Sequence, residues 1–229
     1  MPVVPERTPA SIGDRQIHGL ATLTIAGIAL YTVLDIVAQT LPPHYNPISK
    51  PESDLAVGPY GWIMTVNFVV RGLLSATLLL ALARALRPSG RSRFGLICLG
   101  VWAAGAFLLA LFPTDVSGTE HTAHGKIHLA VAIIAFVAVA AAERALSTSF
   151  AGDPRWDALR VRATVISSCT TVGLLLFIVA ARTPRIGGLI ERLFLASALL
   201  WMLVVALHLH RESAAAPDTP SRSARLATP

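Results

Sequence analysis

Apolar residues along this chain gather into six long blocks, 17–40, 60–86, 94–112, 125–146, 163–181 and 188–210, divided by polar connections. Each block is long enough to cross a hydrocarbon layer of roughly 30 Å as a helix. Helix is the required form, because a strand open to lipid leaves unpaired N–H and C=O groups that cost several kcal/mol each. The pattern therefore predicts an all-α fold: a polytopic membrane bundle of six transmembrane helices over 17–210. Residues 1–16 and 211–229 are rich in Pro, Ser, Ala and charge, with too little apolar surface to repay ordering, and read as disordered cytoplasmic tails.

Basic residues sort the connections into two sides. Arg84, Arg87, Arg91 and Arg93 surround the second connection, and Arg144, Arg155, Arg160 and Arg162 the fourth. Arg7 and Arg15 precede the first block, while Arg211, Arg222 and Arg225 follow the last, thirteen in all against Lys50, Lys126, Arg182 and Arg185 in the remaining connections. Lys and Arg are retained on the cytoplasmic side, so both termini are expected there. The second connection, RPSGRSR, reads as a short turn. The fourth, STSFAGDPRWDALRVR, is longer, and its Trp156, Leu159 and Val161 suit a short interfacial segment. On the opposite side, LPPHYNPISKPESDLAVGPYGW carries five prolines between residues 42 and 59. Each fixes its own φ and restricts the residue before it, so this loop is stiff. It ends on Tyr60 and Trp62 at the depth of an interfacial aromatic anchor and resembles a cap. A purely structural lid and a lid over a functional cavity are both open readings.

Composition agrees with a membrane protein. Of 229 residues, 54% are hydrophobic and only 14% charged, and the mean hydropathy is +0.62, well outside the balance of a soluble domain. The net charge of +6 does not indicate a nucleic-acid partner, because the arginines stand at helix ends where they meet anionic headgroups. Cys98 and Cys169 both fall inside predicted helices, which argues for packing roles over a disulfide or thiolate site. The first block is of full spanning length with no clear small-residue cleavage pattern after it, unlike a removable signal.

The polar residues that the orientation rule leaves unexplained collect on the capped side. They are Asp35, His44, Asn46, Ser49, Glu52, Ser53, Asp54, Asn67, Arg71, Asp115, Glu120, His121, His124, His128, Glu191 and Arg192. Arg71 lies about eleven residues into its helix, roughly 16 Å from the start at 1.5 Å per residue. A charge at that depth costs roughly 2.5–3.5 kcal/mol on insertion scales, so it should face the bundle and find a partner. Asp35 on the adjoining helix is the expected one, with Asn67 a turn above on the same face. This set, with His44 and Glu52, is the candidate substrate-binding group, and a buried pair that only fixes helix packing is the structural alternative.

The stretch HTAHGKIH concentrates the remaining chemistry. At about 100° per residue, His121, His124 and His128 share an arc of about 60° if the helix reaches that far. His124 and His128 have the i, i+4 spacing by which helical histidine pairs grip zinc, and Asp115 or Asp54 would complete a shell. Candidate metal ligands are therefore His121, His124, His128 and Asp115, and the candidate catalytic group is Asp54, Asp115, His124 and His128. A hydrogen-bonded network without metal, and plain interfacial solvation, stand beside this reading. Gly125 complicates it by marking a helix start that would leave His121 in the loop. His18, His208 and His210 lie near the other ends of the first and last helices, where axial ligation of a haem and simple interfacial placement are the alternatives.

NPISKPESDLAVGPYGW after a first spanning helix, then FPTD and an HG-x-x-H element opening the fourth, resembles a bacterial multi-pass membrane family known only as a domain of unknown function, the DUF998 type. That resemblance implies the six-helix layout and no activity. A looser similarity extends to membrane hydrolases such as alkaline ceramidases and adiponectin receptors, which it would imply hold zinc with three histidines, an aspartate and a serine. Those proteins have seven helices with the HxxxH pair on the last. Two functions follow: a metal-dependent membrane enzyme, with a divalent metal such as zinc, acting on a lipid or other apolar molecule, or a non-enzymatic transporter, ligand binder or partner subunit. A purely structural role is the third.

Overall fold

Six α-helices occupy the apolar blocks: α1 Ile12–Thr40, α2 Gly61–Ala85, α3 Arg93–Leu111, α4 Ala123–Ser149, α5 Asp157–Ala180 and α6 Gly187–Ala215. The computed structural model describes residues 11–41, 45–115, 122–180 and 185–215, and no strand occurs among them. All six helices are long and apolar enough to cross a membrane. The shortest, α3, has 19 residues, which at 1.5 Å per residue gives about 28 Å. Each helix packs against its neighbours in sequence and α6 packs back on α1, closing a ring. The proline-rich first connection lies at one end of this ring, here the lid end. The short turn 86–92 and the arginines around it lie at the other, the arginine end.

The helix bounds follow local chemistry where they depart from the apolar blocks. α1 starts five residues before the block at 17, because the Ser11 hydroxyl accepts the Asp14 N–H at 3.1 Å and caps a polar first turn. α5 starts at Asp157, so DALRVR is helical. Trp156 and Leu159 turn into the bundle rather than lying at the interface, being 2% and 4% exposed, while Val161 faces outward. α6 continues through Ala215. Of the expected tails, residues 11–16 and 211–215 begin and end helices; the remainder lies outside the described residues.

The arginine end is filled by aromatic residues. Phe150 stacks on Trp156 with centroids 4.4 Å apart, and Trp201 donates its indole N–H to the Ser147 hydroxyl at 2.8 Å. Small residues bring α3 and α4 together: a Cβ on Gly105 would lie 2.8 Å from that of Ala135. Arg155 bonds both carboxylate oxygens of buried Asp153 and the Ala85 carbonyl, tying the α4–α5 connection to the end of α2. That contact holds the Asp153 carboxyl below the usual range. Cys98 is buried as expected of a packing residue, whereas Cys169 lies on the exposed, lipid-facing surface. The His18 and His210 rings touch, centroids 4.0 Å apart, so no porphyrin fits between them.

Candidate functional site

The stiff first connection is bound down onto α6 and α1. Leu189 donates its N–H to the Ile48 carbonyl at 2.9 Å, at the start of α6. Arg192 reaches up to the Pro47 and Lys50 carbonyls, both at 3.1 Å, and to the Tyr45 hydroxyl at 2.6 Å. Burial pushes the Tyr45 phenol above its ordinary range, so it stays protonated and donates to the Pro51 carbonyl at 2.6 Å. Further along, the Glu52 N–H donates to Glu191 at 2.9 Å, and the Tyr31 hydroxyl donates to the Glu52 carboxylate at 2.5 Å. A buried glutamate on each side of this seam, Glu52 at 3% and Glu191 at 4% exposure, thus joins lid to bundle.

Beneath the lid lies a cavity of about 250 Å³, near the lower end of the roughly 300–1,000 Å³ of small-molecule sites. It is two-faced. Glu52, Asp54, Arg71, Thr114, Asp115, His128 and Glu191 make a polar part; Phe68, Leu109, Leu129, Ala132, Ile133, Phe136 and Phe177 make an apolar part. Leu129 and Ile133 are also 55% and 54% exposed on the outer surface of the ring, so the apolar part opens sideways between α4 and α5. That opening faces the lipid.

Arg71 dominates the polar part. It is 2% exposed, its guanidinium lies over the rings of Trp102 at 4.7 Å and Phe68 at 5.1 Å, and among the described residues its Nε and Nη2 have no hydrogen-bond partner. Cation–π contact supports the charge from one side, but unmet N–H donors at this depth remain costly. The expected Asp35–Arg71 pair does not form. Asp35 faces a second groove of about 350 Å³ between α1 and α6, where Glu52 and Arg192 are its charged neighbours, and it accepts the Gln39 side-chain N–H at 2.6 Å. Asn67 is fully buried a turn above Arg71 but lies outside the cavity lining, with its side-chain N–H 3.9 Å from the Met64 sulfur.

The imidazoles divide. His128, 4% exposed, sits in the cavity wall with Nδ1 2.7 Å from the Phe112 carbonyl. A carbonyl only accepts, so Nδ1 carries a proton, and in the neutral imidazole the lone pair is on Nε2. His124, one turn earlier, is exposed, packs on the Phe112 ring at 5.7 Å and does not line the cavity. Asp115 does line it, and both its oxygens accept from Thr122 at the start of α4, at 2.9 and 2.7 Å. This is the favoured place for a carboxylate at a helix N-terminus. It also accounts for Gly125, where a Cβ would meet the Asp115 carboxylate at 1.8 Å. The glycine sits within the first turn of α4 to admit that carboxylate and does not mark the helix start. Asp54 lines the cavity from the lid. Among the described residues no three His, Cys, Asp or Glu side chains gather as a metal site; His44 and His121 lie outside the described residues.

A family model described as a protein of unknown function, DUF998, matches residues 25–208, from within α1 to near the end of α6. The chain belongs to the DUF998 family. Neither a curated protein nor a solved structure matches the chain. The DUF998 match thus covers most of the helical ring, the lid and the whole cavity lining. The aromatic members of the lining, Phe68, Phe136 and Phe177, were not singled out from sequence, because an aromatic in an apolar run carries no signal of which way it faces. Tyr31 was missed as well, although it stands one turn before Asp35 on α1.

Proposed function

We propose that this membrane protein binds an amphipathic molecule in the lid-end cavity. An acidic group such as a phosphate meets Arg71, hydroxyl or ammonium donors meet the carboxylates, and the chain leaves between α4 and α5. The observation that carries the reading is Arg71, buried in the cavity wall with two donor nitrogens unmet among the described residues. A structural arginine at that depth would be expected to spend its donors on the protein. The acids around it are engaged: Glu52 with Tyr31, Glu191 with the lid backbone, and Asp115 with α4. They favour a headgroup that brings donors of its own beside the anion.

The test is thermal unfolding of the full chain in detergent with short-chain phosphatidylglycerol, short-chain phosphatidylethanolamine and an uncharged diacylglycerol. The two phosphate-bearing amphiphiles are expected to raise the melting temperature, since a ligand at about 100 times its Kd adds roughly 2.7 kcal/mol of stability. The uncharged one is expected to leave it unchanged. Equal shifts with all three would remove the headgroup site.

A membrane enzyme is the second reading, favoured by His128, whose Nδ1–H is held by Phe112 so that Nε2 is oriented as a base or ligand. In its metal-dependent form, a divalent ion such as zinc would take His128 through Nε2, with the cavity carboxylates Asp115 and Asp54 beside it. Purification without chelator then yields about one metal per chain, lost in the His124→Ala, His128→Ala double variant. A metal-free protein that still binds the amphiphile ends the metal form and keeps the binding site.

A further inference from the structure

We propose that Glu143 is a proton-binding site in the arginine-end half of the bundle, a carboxylic acid kept in its protonated form and separate from the lid-end cavity. Glu143 is 0% exposed, and neither carboxyl oxygen has a hydrogen-bond partner of its own among the described residues. It stands 15 residues beyond His128 on α4, about 22 Å along the helix, with Phe136 and Val139 buried between them.

Among the described residues the surroundings offer hydroxyls and no counter-charge. Arg144 reaches across to the Ser168 hydroxyl at 3.4 Å, which sets the level at which α4 meets α5. At that level α5 carries Ser167 and Thr170, both 0% exposed, and Thr170 is the polar neighbour of the carboxyl. On α4 itself Ser147 follows one turn later, its oxygen receiving the Trp201 N–H from α6. The arginines of this end are turned elsewhere: Arg144 is exposed, Arg155 is held by Asp153, and Arg160 and Arg162 are exposed.

An isolated carboxylate in a low-dielectric interior costs far more than taking up a proton, so the group neutralises. The Thr170 and Ser167 hydroxyls spend their own protons within α5, Thr170 donating to the Ile166 carbonyl at 3.1 Å and Ser167 to the Thr164 carbonyl at 2.9 Å. Their oxygens therefore have lone pairs left, the complement of an O–H and not of a carboxylate. The ligand of this site is the hydrogen ion, and its release requires the α4–α5 face to open to water.

Infrared difference spectra of the full chain in lipid discs at pH 8, wild type minus Glu143→Gln, test the proposal. The expected result is a protonated-carboxyl C=O band that moves to lower frequency in heavy water, with the melting temperature of the variant unchanged because the carboxamide is isosteric with the acid. At pH 8 an ordinary glutamate is more than about 1,000-fold in favour of its ionised form. Carboxylate bands in place of the C=O band would overturn protonation, and a C=O band untouched by heavy water would overturn exchange. Should Glu143→Gln fail to fold, Glu143→Asp displaces the same band and gives the same decision.

Discussion

Arg71→Leu is expected to weaken binding of phosphate-bearing amphiphiles by about 10- to 100-fold while leaving the ligand-free protein as stable as wild type or more so. The first part follows from the two unmet donors, since hydrogen bonds to a charged group are worth about 1.5–3 kcal/mol and each 1.4 kcal/mol is tenfold in affinity. The second follows from the burial of the guanidinium at 2% exposure with Nε and Nη2 unpaired. Replacing a buried, incompletely satisfied charge with an apolar side chain is often neutral or stabilising. A residue that only fixed helix packing would behave the opposite way, losing stability on substitution. Arg71→Lys should fall between, because an ammonium keeps the charge but loses both the planar fork and the stack on Trp102 and Phe68. Titration of the melting temperature against phosphatidylglycerol reads both quantities.

The second large effect is expected at the lid hinge. A Cβ on Gly188 would stand 2.1 Å from the Lys50 carbonyl oxygen and 2.8 Å from that of Pro47. Both are backbone atoms of the same loop that Leu189 and Arg192 hold, so no rotamer change relieves the collision. Gly188→Ala should therefore cost roughly 1–3 kcal/mol, the range for overpacking, and lift the segment 45–60 from α6. Limited proteolysis should cut that segment in the variant well before wild type, with amphiphile binding lost in parallel. Gly19→Ala is the control: nothing lies within 4 Å of its Cβ position on exposed α1 surface, and alanine there should be neutral or slightly stabilising. Equal resistance of the Gly188→Ala lid and the wild-type lid would show that the first connection does not depend on this seam.

The helices were legible because lipid leaves the backbone so few choices. An apolar run of spanning length has to be helical, and α2 and α3 end within a residue of the blocks that announced them. The bounds of α1, α5 and α6 were less legible because their polar ends are helical through capping and through burial of Trp156, outside any apolar run. The site was half legible. The cost of a charge at mid-membrane singled out Arg71, but its pairing with Asp35 depended on how α1 is rotated, and a helix apolar on most sides does not encode that. In the same way the i, i+4 histidine spacing was readable while its division was not, with His128 inward and His124 outward. Glu143 went unnoticed as a lone acid ending the run AVAIIAFVAVAAAE, although an acid in such a run carries the same cost argument as Arg71.

The most direct measurement is lipid analysis of the wild type and Arg71→Leu purified side by side in mild detergent, by native mass spectrometry of the intact chain. The account predicts about one acid-bearing amphiphile retained per wild-type chain and its loss from the variant, both proteins being equally folded. The same bound species at the same occupancy on both would mean that the open donors of Arg71 do not hold a headgroup, and the cavity would lose its assigned ligand.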